Sequence, residues 1–312
     1  HLAETHGVSL LCEAAVAGAI PIVKSLREGL AANQVTALAG IINGTCNFIL
    51  TEMQRRGVEF EPILKEAQAL GYAEAEPSFD IDGIDAAHKL TLLATMAFGM
   101  PLSFKHIVTG GIGAVTSADI RYADELGYRI KSLGLAQRSD EGVALSVLPT
   151  LIPKSHLLSS ITGVTNSVMV QGSAAAQTIY AGPGAGSLAT ASAVVADLIE
   201  VARGTVVPTL GYPLSGLRDV ALLPLEQVRS GFYLRLLVAD QAGVLAEITR
   251  ILADYDISIE AIQQKEPAEE GAHVPVVLLT GDVTTGAMNA AQAKLQQLAS
   301  VQALIVRFNV EH

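Results

Sequence analysis

The chain has 312 residues, half of them hydrophobic and 16% charged, and 20 basic against 31 acidic side chains give a net charge of −11. Its length accommodates a sizeable core and two domains, and its acidic balance argues against nucleic acid or an anionic membrane as partner. The apolar runs 30–50 and 187–202 are interrupted by Asn33, Gln34, Asn43 and Asn47, or by Asp197 and Glu200, so neither reads as a membrane span. No signal peptide opens the chain, and its start at His1 rather than Met suggests a fragment. Cys12 and Cys46 lie in apolar strings and fit buried thiols in a reducing cytoplasm. Neither has a basic neighbour in sequence to activate it.

In chain order, 8–16 reads as a short buried strand, and 18–31 as a helix entered through Pro21 with Lys24, Arg27 and Glu28 on its wet side. Val35 to Ile42 is a strand, and Thr45 to Arg56 a helix stopped by Gly57. Glu61 to Leu70 is an amphipathic helix. From Ile107 onward the pattern is strand-rich, clearest at 143–151 and 164–170. An α+β domain follows, built on a mixed or antiparallel sheet covered by helices. Pro208, Pro213 and Pro224 place a boundary within 204–231, giving domains at 1–215 and 232–312 with a linker at 216–231. Beyond the linker, strands at 232–239, 257–264, 274–281 and 301–310 alternate with helices at 243–255 and 285–299, the ferredoxin-like order βαββαβ.

Segment 71–89 crowds five carboxylates (Glu74, Glu76, Asp80, Asp82 and Asp85) and Lys89 into a chain otherwise short of charge. Asp82 is placed to cap a helix that continues through the apolar run 90–98, with Asp85 in its first turn. Asp85 and Lys89 are then i and i+4 on one face. Such a cap with an exposed ion pair accounts for three of these residues without any chemistry, at a few tenths of a kcal/mol. A calcium loop does not fit, because Gly83 comes too early and no glutamate follows at the twelfth position.

Ordered motifs tip this balance. Ala67-x-x-x-Gly71 through Asp80-Ile81-x-Gly83-x-Asp85-x-x-x-Lys89 resembles the signature of homoserine dehydrogenases. In the same order, so do Glu13-Ala14-Ala15-Val16-Ala17-Gly18-Ala19-Ile20-Pro21, the stretch Gly40 to Leu50, and Gly182-Pro183-Gly184-Ala185-Gly186 with the helix after it. The turn Asp240-Gln241-Ala242-Gly243-Val244-Leu245, followed by Ile248, Leu252 and Asp256 to Ile259, resembles an ACT domain.

The resemblance implies reversible oxidation of L-homoserine to L-aspartate 4-semialdehyde with NAD(P). It assigns Lys89 as the acid/base and Asp80 as a carboxylate beside it, with Glu74 and Asp85 binding substrate. Neighbouring carboxylates raise an ammonium's pKa and burial lowers it; sequence does not say which prevails. Gly184 and Gly186 would touch the cofactor. Glu13 with the carbonyls of Val16, Gly18 and Ile20 would hold a monovalent cation such as sodium, although a plain strand-to-helix turn explains the same residues. In the ACT-like part, Asp240, Gly243 and Val244 would contact an amino-acid effector such as threonine, and a homodimer or homotetramer is expected. No glycine-rich dinucleotide unit precedes Glu13, so the chain on its own is expected to be inactive or nearly so. The rival reading is an amino-acid-binding regulatory and oligomerisation module.

Overall fold

The computed structural model describes residues 2–265 and 273–311. They form two compact units. The first comprises His1–Ser117, Lys131–Leu148 and Ser155–Leu223; the second comprises Ala118–Ile130, Pro149–Lys154 and Pro224–His312. The division at Leu223 and Pro224 lies inside the proline-bearing stretch 204–231. Segments 118–130 and 149–154 also belong to the second unit, though nothing in their composition sets them apart.

Along the chain the first helices are α1 (Leu2–Thr5) and α2 (Ile22–Lys24), the latter running into a π-turn at Ser25–Gly29. Strand β1 (Val35–Ile41) leads into α3 (Gly44–Arg56), α4 (Phe60–Ala69), α5 (Ser78–Ile81) and α6 (Ile84–Phe98). Then come β2 (Val108–Thr109), α7 (Ser117–Glu125), β3 (Tyr128–Arg138), β4 (Val143–Pro153), β5 (Thr165–Gly172), β6 (Ala176–Pro183) and α8 (Ser187–Ala202). In the first unit the strand order is β6-β5-β1-β3-β4, with β2 parallel to β4. β1 is central and antiparallel to both neighbours, Ala39 facing Leu135 on β3 and Met169 on β5.

Burial explains why β1 and α6 lie together. Leu38, Ile42, Leu90, Leu93, Ala94, Val168 and Val170 belong to one buried cluster. Each large aliphatic side chain so enclosed contributes roughly 1.5–3 kcal/mol. This places the C-terminal end of β1 beside the first turns of α6, where the charged residues of 71–89 are concentrated.

The second unit is the expected βαββαβ arrangement: β7 (Arg229–Ala239), α9 (Val244–Asp254), β8 (Ile259–Gln264), β9 (His273–Thr284), α10 (Thr285–Leu295) and β10 (Val306–Val310). Strand order β10-β7-β9-β8 is antiparallel throughout. Ile248, Ile251 and Leu252 of α9 and Met288, Ala291 and Leu295 of α10 bury helical stripes against Phe232, Leu234, Leu236, Val276 and Leu278. Within this unit Asp119 of α7 is fully buried and accepts hydrogen bonds from Tyr233 Oη (2.9 Å), Arg235 Nε (2.6 Å) and Arg235 Nη2 (3.0 Å). That bidentate pair explains how 118–130 is held in the unit.

Several sequence expectations need correction. The strand expected over 8–16 does not form: residues 8–12 join no strand among the described residues, Val8 and Leu10 are exposed, and Glu13–Ala15 is a single 3₁₀ turn. The helix expected over 18–31 starts only at Ile22, because Ala17 and Gly18 adopt positive φ and turn the chain first. Asp82 caps nothing: it ends α5, and Gly83 at φ +81° occupies the N-cap of α6. A side chain at Gly83 would meet Val147 Cγ1 at 3.0 Å, so the tight turn excludes the usual capping residues. The last strand begins at Val306 rather than at 301.

Candidate active site

Lys89 is the hub of a polar cluster at the end of β1. Its Nζ donates to Asp85 Oδ2 (2.7 Å) and to the Ile42 carbonyl (3.1 Å). About a fifth of each side chain is exposed, 23% for Lys89 and 21% for Asp85, so the pair is open to a small molecule. The third ammonium hydrogen has no partner among the described residues. Asp80 on α5 accepts from Asn43 Nδ2 (2.7 Å) and from Thr45 Oγ1 (3.2 Å), and Asn43 Nδ2 also donates to Asp85 Oδ2 (2.8 Å). The single Thr45 hydroxyl hydrogen is shared between Asp80 and the Tyr72 carbonyl, the nearer of the two at 2.5 Å. Asp80, Asp85 and Lys89 are therefore brought together, the last two by their i, i+4 spacing.

Asn43 and Thr45 were not singled out by the sequence, which opened the helix at Thr45. The available signal was local: Asn43 stands three residues before Cys46, and its Oδ1 accepts the Cys46 amide (2.9 Å) as a helix cap. Cys46 itself is fully buried, and its Sγ donates to the Asp80 carbonyl (3.2 Å). Burial, and then the charges of Asp80 and Asp85, push its thiol far up, so it is no nucleophile. His88 is stacked between Phe79 and Phe104, with ring centroids 5.8 and 4.0 Å away. Glu74 stands apart: it is exposed, and its carboxylate makes no hydrogen bond among the described residues. Glu76 and Asp82 are exposed as well.

Glu13, expected as a cation ligand, is buried and accepts the amides of Val23 and Lys24 on its two oxygens, each at 2.9 Å. Burial, opposed by these hydrogen bonds and helped by Asp197, leaves its carboxyl above the ordinary range. The Ile20 carbonyl accepts the Ile22 amide (2.8 Å). No group of three or more His, Cys, Asp or Glu side chains positioned for a metal occurs among the described residues. Gly18 and Gly184 are in backbone contact: a Cβ on Gly18 would lie 2.5 Å from the Gly184 carbonyl oxygen, and one on Gly184 would strike the buried Asn166 amide. The glycine-rich stretch and the Glu13 turn are thus one packed crossing, reinforced by Ala19 N–H to the Pro183 carbonyl (3.1 Å).

Comparison with known proteins fixes the family. The profile for homoserine dehydrogenase matches residues 21–199, and that for the ACT domain matches residues 232–296. The chain belongs to the homoserine dehydrogenase family. It is 51% identical to a homoserine dehydrogenase of Pseudomonas aeruginosa over 99% of its own length and 73% of that protein's. A homoserine dehydrogenase structure from Thiobacillus denitrificans is 51% identical with a TM-score of 0.94, covering 99% of this chain and 72% of the other. A hyperthermophilic archaeal homoserine dehydrogenase solved with NADPH is 28% identical, with a TM-score of 0.58 over 67% of this chain and 60% of its own.

The second unit has a cavity at the start of α9. It encloses about 880 Å³ and is lined by Gly243, Val244, Glu247, Arg250, Ser300 and Gln302 among others. Asp240 is exposed and does not line it. Ser300 Oγ is buried there without a hydrogen-bond partner. No helix among the described residues is long and apolar enough to cross a membrane.

Proposed function

We propose that this chain carries the substrate-binding and proton-transfer part of a homoserine dehydrogenase, which interconverts L-homoserine and L-aspartate 4-semialdehyde with NAD(P). The observation that supports it best is the Lys89 ammonium, held by Asp85 and the Ile42 carbonyl with one hydrogen left to give. In the reduction direction this group protonates the oxygen that becomes the homoserine hydroxyl; in the oxidation direction it takes that proton back. Asp85 orients Lys89 and accepts the substrate hydroxyl, and Asp80 adds negative potential beside it. Glu74, exposed and unengaged, binds the substrate ammonium.

NAD(P), when bound, supplies the exchange of hydride with the substrate carbon. The glycine-rich loop fits a place beside it: Gly186 is exposed, and the space a Cβ would fill is open. Gly184 would present backbone from the same loop. A monovalent cation at Glu13, Val16, Gly18 and Ile20 belongs to the proposal as well; its support is the buried Glu13 carboxylate, to which Asp197 adds a second negative charge. The cavity at Gly243 and Val244 would take an amino-acid effector such as threonine. Assembly as a homodimer or homotetramer and a cytoplasmic location complete the reading, the latter in keeping with the free thiols of Cys12 and Cys46.

Calorimetric titration tests this. L-homoserine is expected to bind the wild-type chain, and binding is lost in Glu74→Ala and Lys89→Ala. L-threonine is expected to bind equally well to all three. Threonine binding with no homoserine binding would instead favour a purely regulatory module. Replacing sodium with choline should lower the melting temperature of the wild-type chain but not of Glu13→Gln; equal melting in both salts would remove the cation.

A further inference from the structure

We infer that Asn43 is the positioning residue of the Lys89 cluster, a neutral clamp that holds two like-charged carboxylates together and turns one of them toward the ammonium. This rests on the reading of Lys89 and Asp85 as site residues.

Three hydrogen bonds fix the role. The Oδ1 of Asn43 accepts the Cys46 amide at 2.9 Å, which settles the orientation of the carboxamide: a flip would lose the cap and aim an oxygen at two carboxylates. Nδ2 is therefore the group that faces the cluster, and its two hydrogens go to Asp80 Oδ1 (2.7 Å) and Asp85 Oδ2 (2.8 Å). The oxygen of Asp85 that Asn43 holds is the same one that accepts Lys89.

Charge makes this placement useful. Asp80 and Asp85 repel each other and would swing apart or compete for Lys89, whose single positive charge cannot neutralise both. A cation in place of Asn43 would take Asp85 away from Lys89, and an acid would add a third negative charge. A carboxamide supplies two donors and no charge. Its backbone setting adds reach, since Ile42 immediately before it gives the carbonyl that holds Lys89, and Thr45 just after it bonds Asp80. The short stretch 42–45, where β1 passes into α3, thus contacts all three charged members of the cluster.

The test uses the whole chain and a signal that needs no ligand. The ¹⁵N resonance of a lysine ammonium is seen when its hydrogens are held and is lost to solvent exchange when they are not; Lys89 is identified by its absence in Lys89→Arg. The Lys89 resonance is expected in the wild type and lost in Asn43→Ser, which keeps a capping oxygen but replaces the two amide donors with a shorter, single hydroxyl. Asn43→Asp, which preserves shape and cap, is expected to lose it too, so a folding failure in one variant leaves the other. Homoserine affinity in either variant should fall at least about tenfold, the scale of one lost hydrogen bond to a charged group. An unchanged Lys89 resonance in variants that only melt earlier would reduce Asn43 to a helix cap and overturn the inference. Loss of the resonance in a protein whose wild type does not bind homoserine would uphold Asn43 as the clamp and overturn only the substrate reading.

Discussion

Gly18→Ala separates a packing role from a ligand role at the Glu13 turn. Gly18 sits at φ +56°, where an L-residue costs about 1–2 kcal/mol. The new Cβ would lie 2.5 Å from the Gly184 carbonyl oxygen and 2.6 Å from its carbon. Both are backbone atoms, so no side chain can rotate away, and the crossing must open. Overpacking of that kind costs about 1–3 kcal/mol, for a total of about 2–5 kcal/mol. Gly163→Ala is the control, since Gly163 has φ +62° but open space around its missing side chain. It should lose only the conformational part. Urea unfolding without any ligand measures the difference; with slopes of about 1–3 kcal/mol/M, Gly18→Ala should shift the midpoint by roughly 1 M or more at unchanged slope. If the two variants agree within about 0.5 kcal/mol, the backbone crossing is not what requires glycine here, and the argument for Gly18 and Gly184 as packing residues fails.

Two further outcomes follow from buried charge. Glu200 accepts from Arg27 Nη2 and Lys24 Nζ, each at 2.9 Å, and Arg27 has only 4% of its side chain exposed. Glu200→Gln leaves that guanidinium with only the half-exposed Glu28 at 2.8 Å and Lys24 without its buried partner, and should cost roughly 1–3 kcal/mol. Burial works to raise the Glu200 pKa, but Lys24 and Arg27 prevail and hold it below the ordinary range. The pair therefore stabilises fully above the unfolded value of about 4.3, and its contribution disappears as pH falls through the lower folded value. Acid unfolding of Glu200→Gln should lack that component; an acid transition identical in shape to wild type would refute it. At the alkaline end, burial and then Asp119 push the Tyr233 phenol upward. Its share of stability is complete below the unfolded value of about 10 and is lost as pH rises beyond it. Tyrosinate absorbance should show one of the seven tyrosines silent until the second unit unfolds, and Asp119→Asn should make that unfolding occur at lower pH. Seven tyrosines titrating together in the folded protein would contradict the burial of Tyr233.

The sequence by itself determined what depends on local spacing. The i, i+4 pair Asp85 and Lys89, the stop at Gly57 and the stripes of α9 and α10 each follow from helical periodicity within a few residues. The order of elements after residue 231 gave the βαββαβ unit for the same reason. The ordered motifs carried the family, and the residues of 71–89 pointed to the cluster. What needed tertiary structure is whatever depends on partners distant in sequence. Residues 8–12 have a strand's composition but join no strand among the described residues, and pairing is what makes a strand. Asp82 has a capping side chain, yet Val147 crowds the turn so closely that glycine must cap instead. Gly18 and Gly184 read as ligand positions, and only the crossing, where a Cβ on Gly18 would lie 2.5 Å from the Gly184 carbonyl oxygen, shows that they also have a packing reason. Asn43 did not stand out in the sequence because the two carboxylates it clamps lie 37 and 42 residues further on. Nothing in a local pattern carries that distance; only the packing of α6 against β1, and of α5 against α3 and α6, brings those charges to one amide.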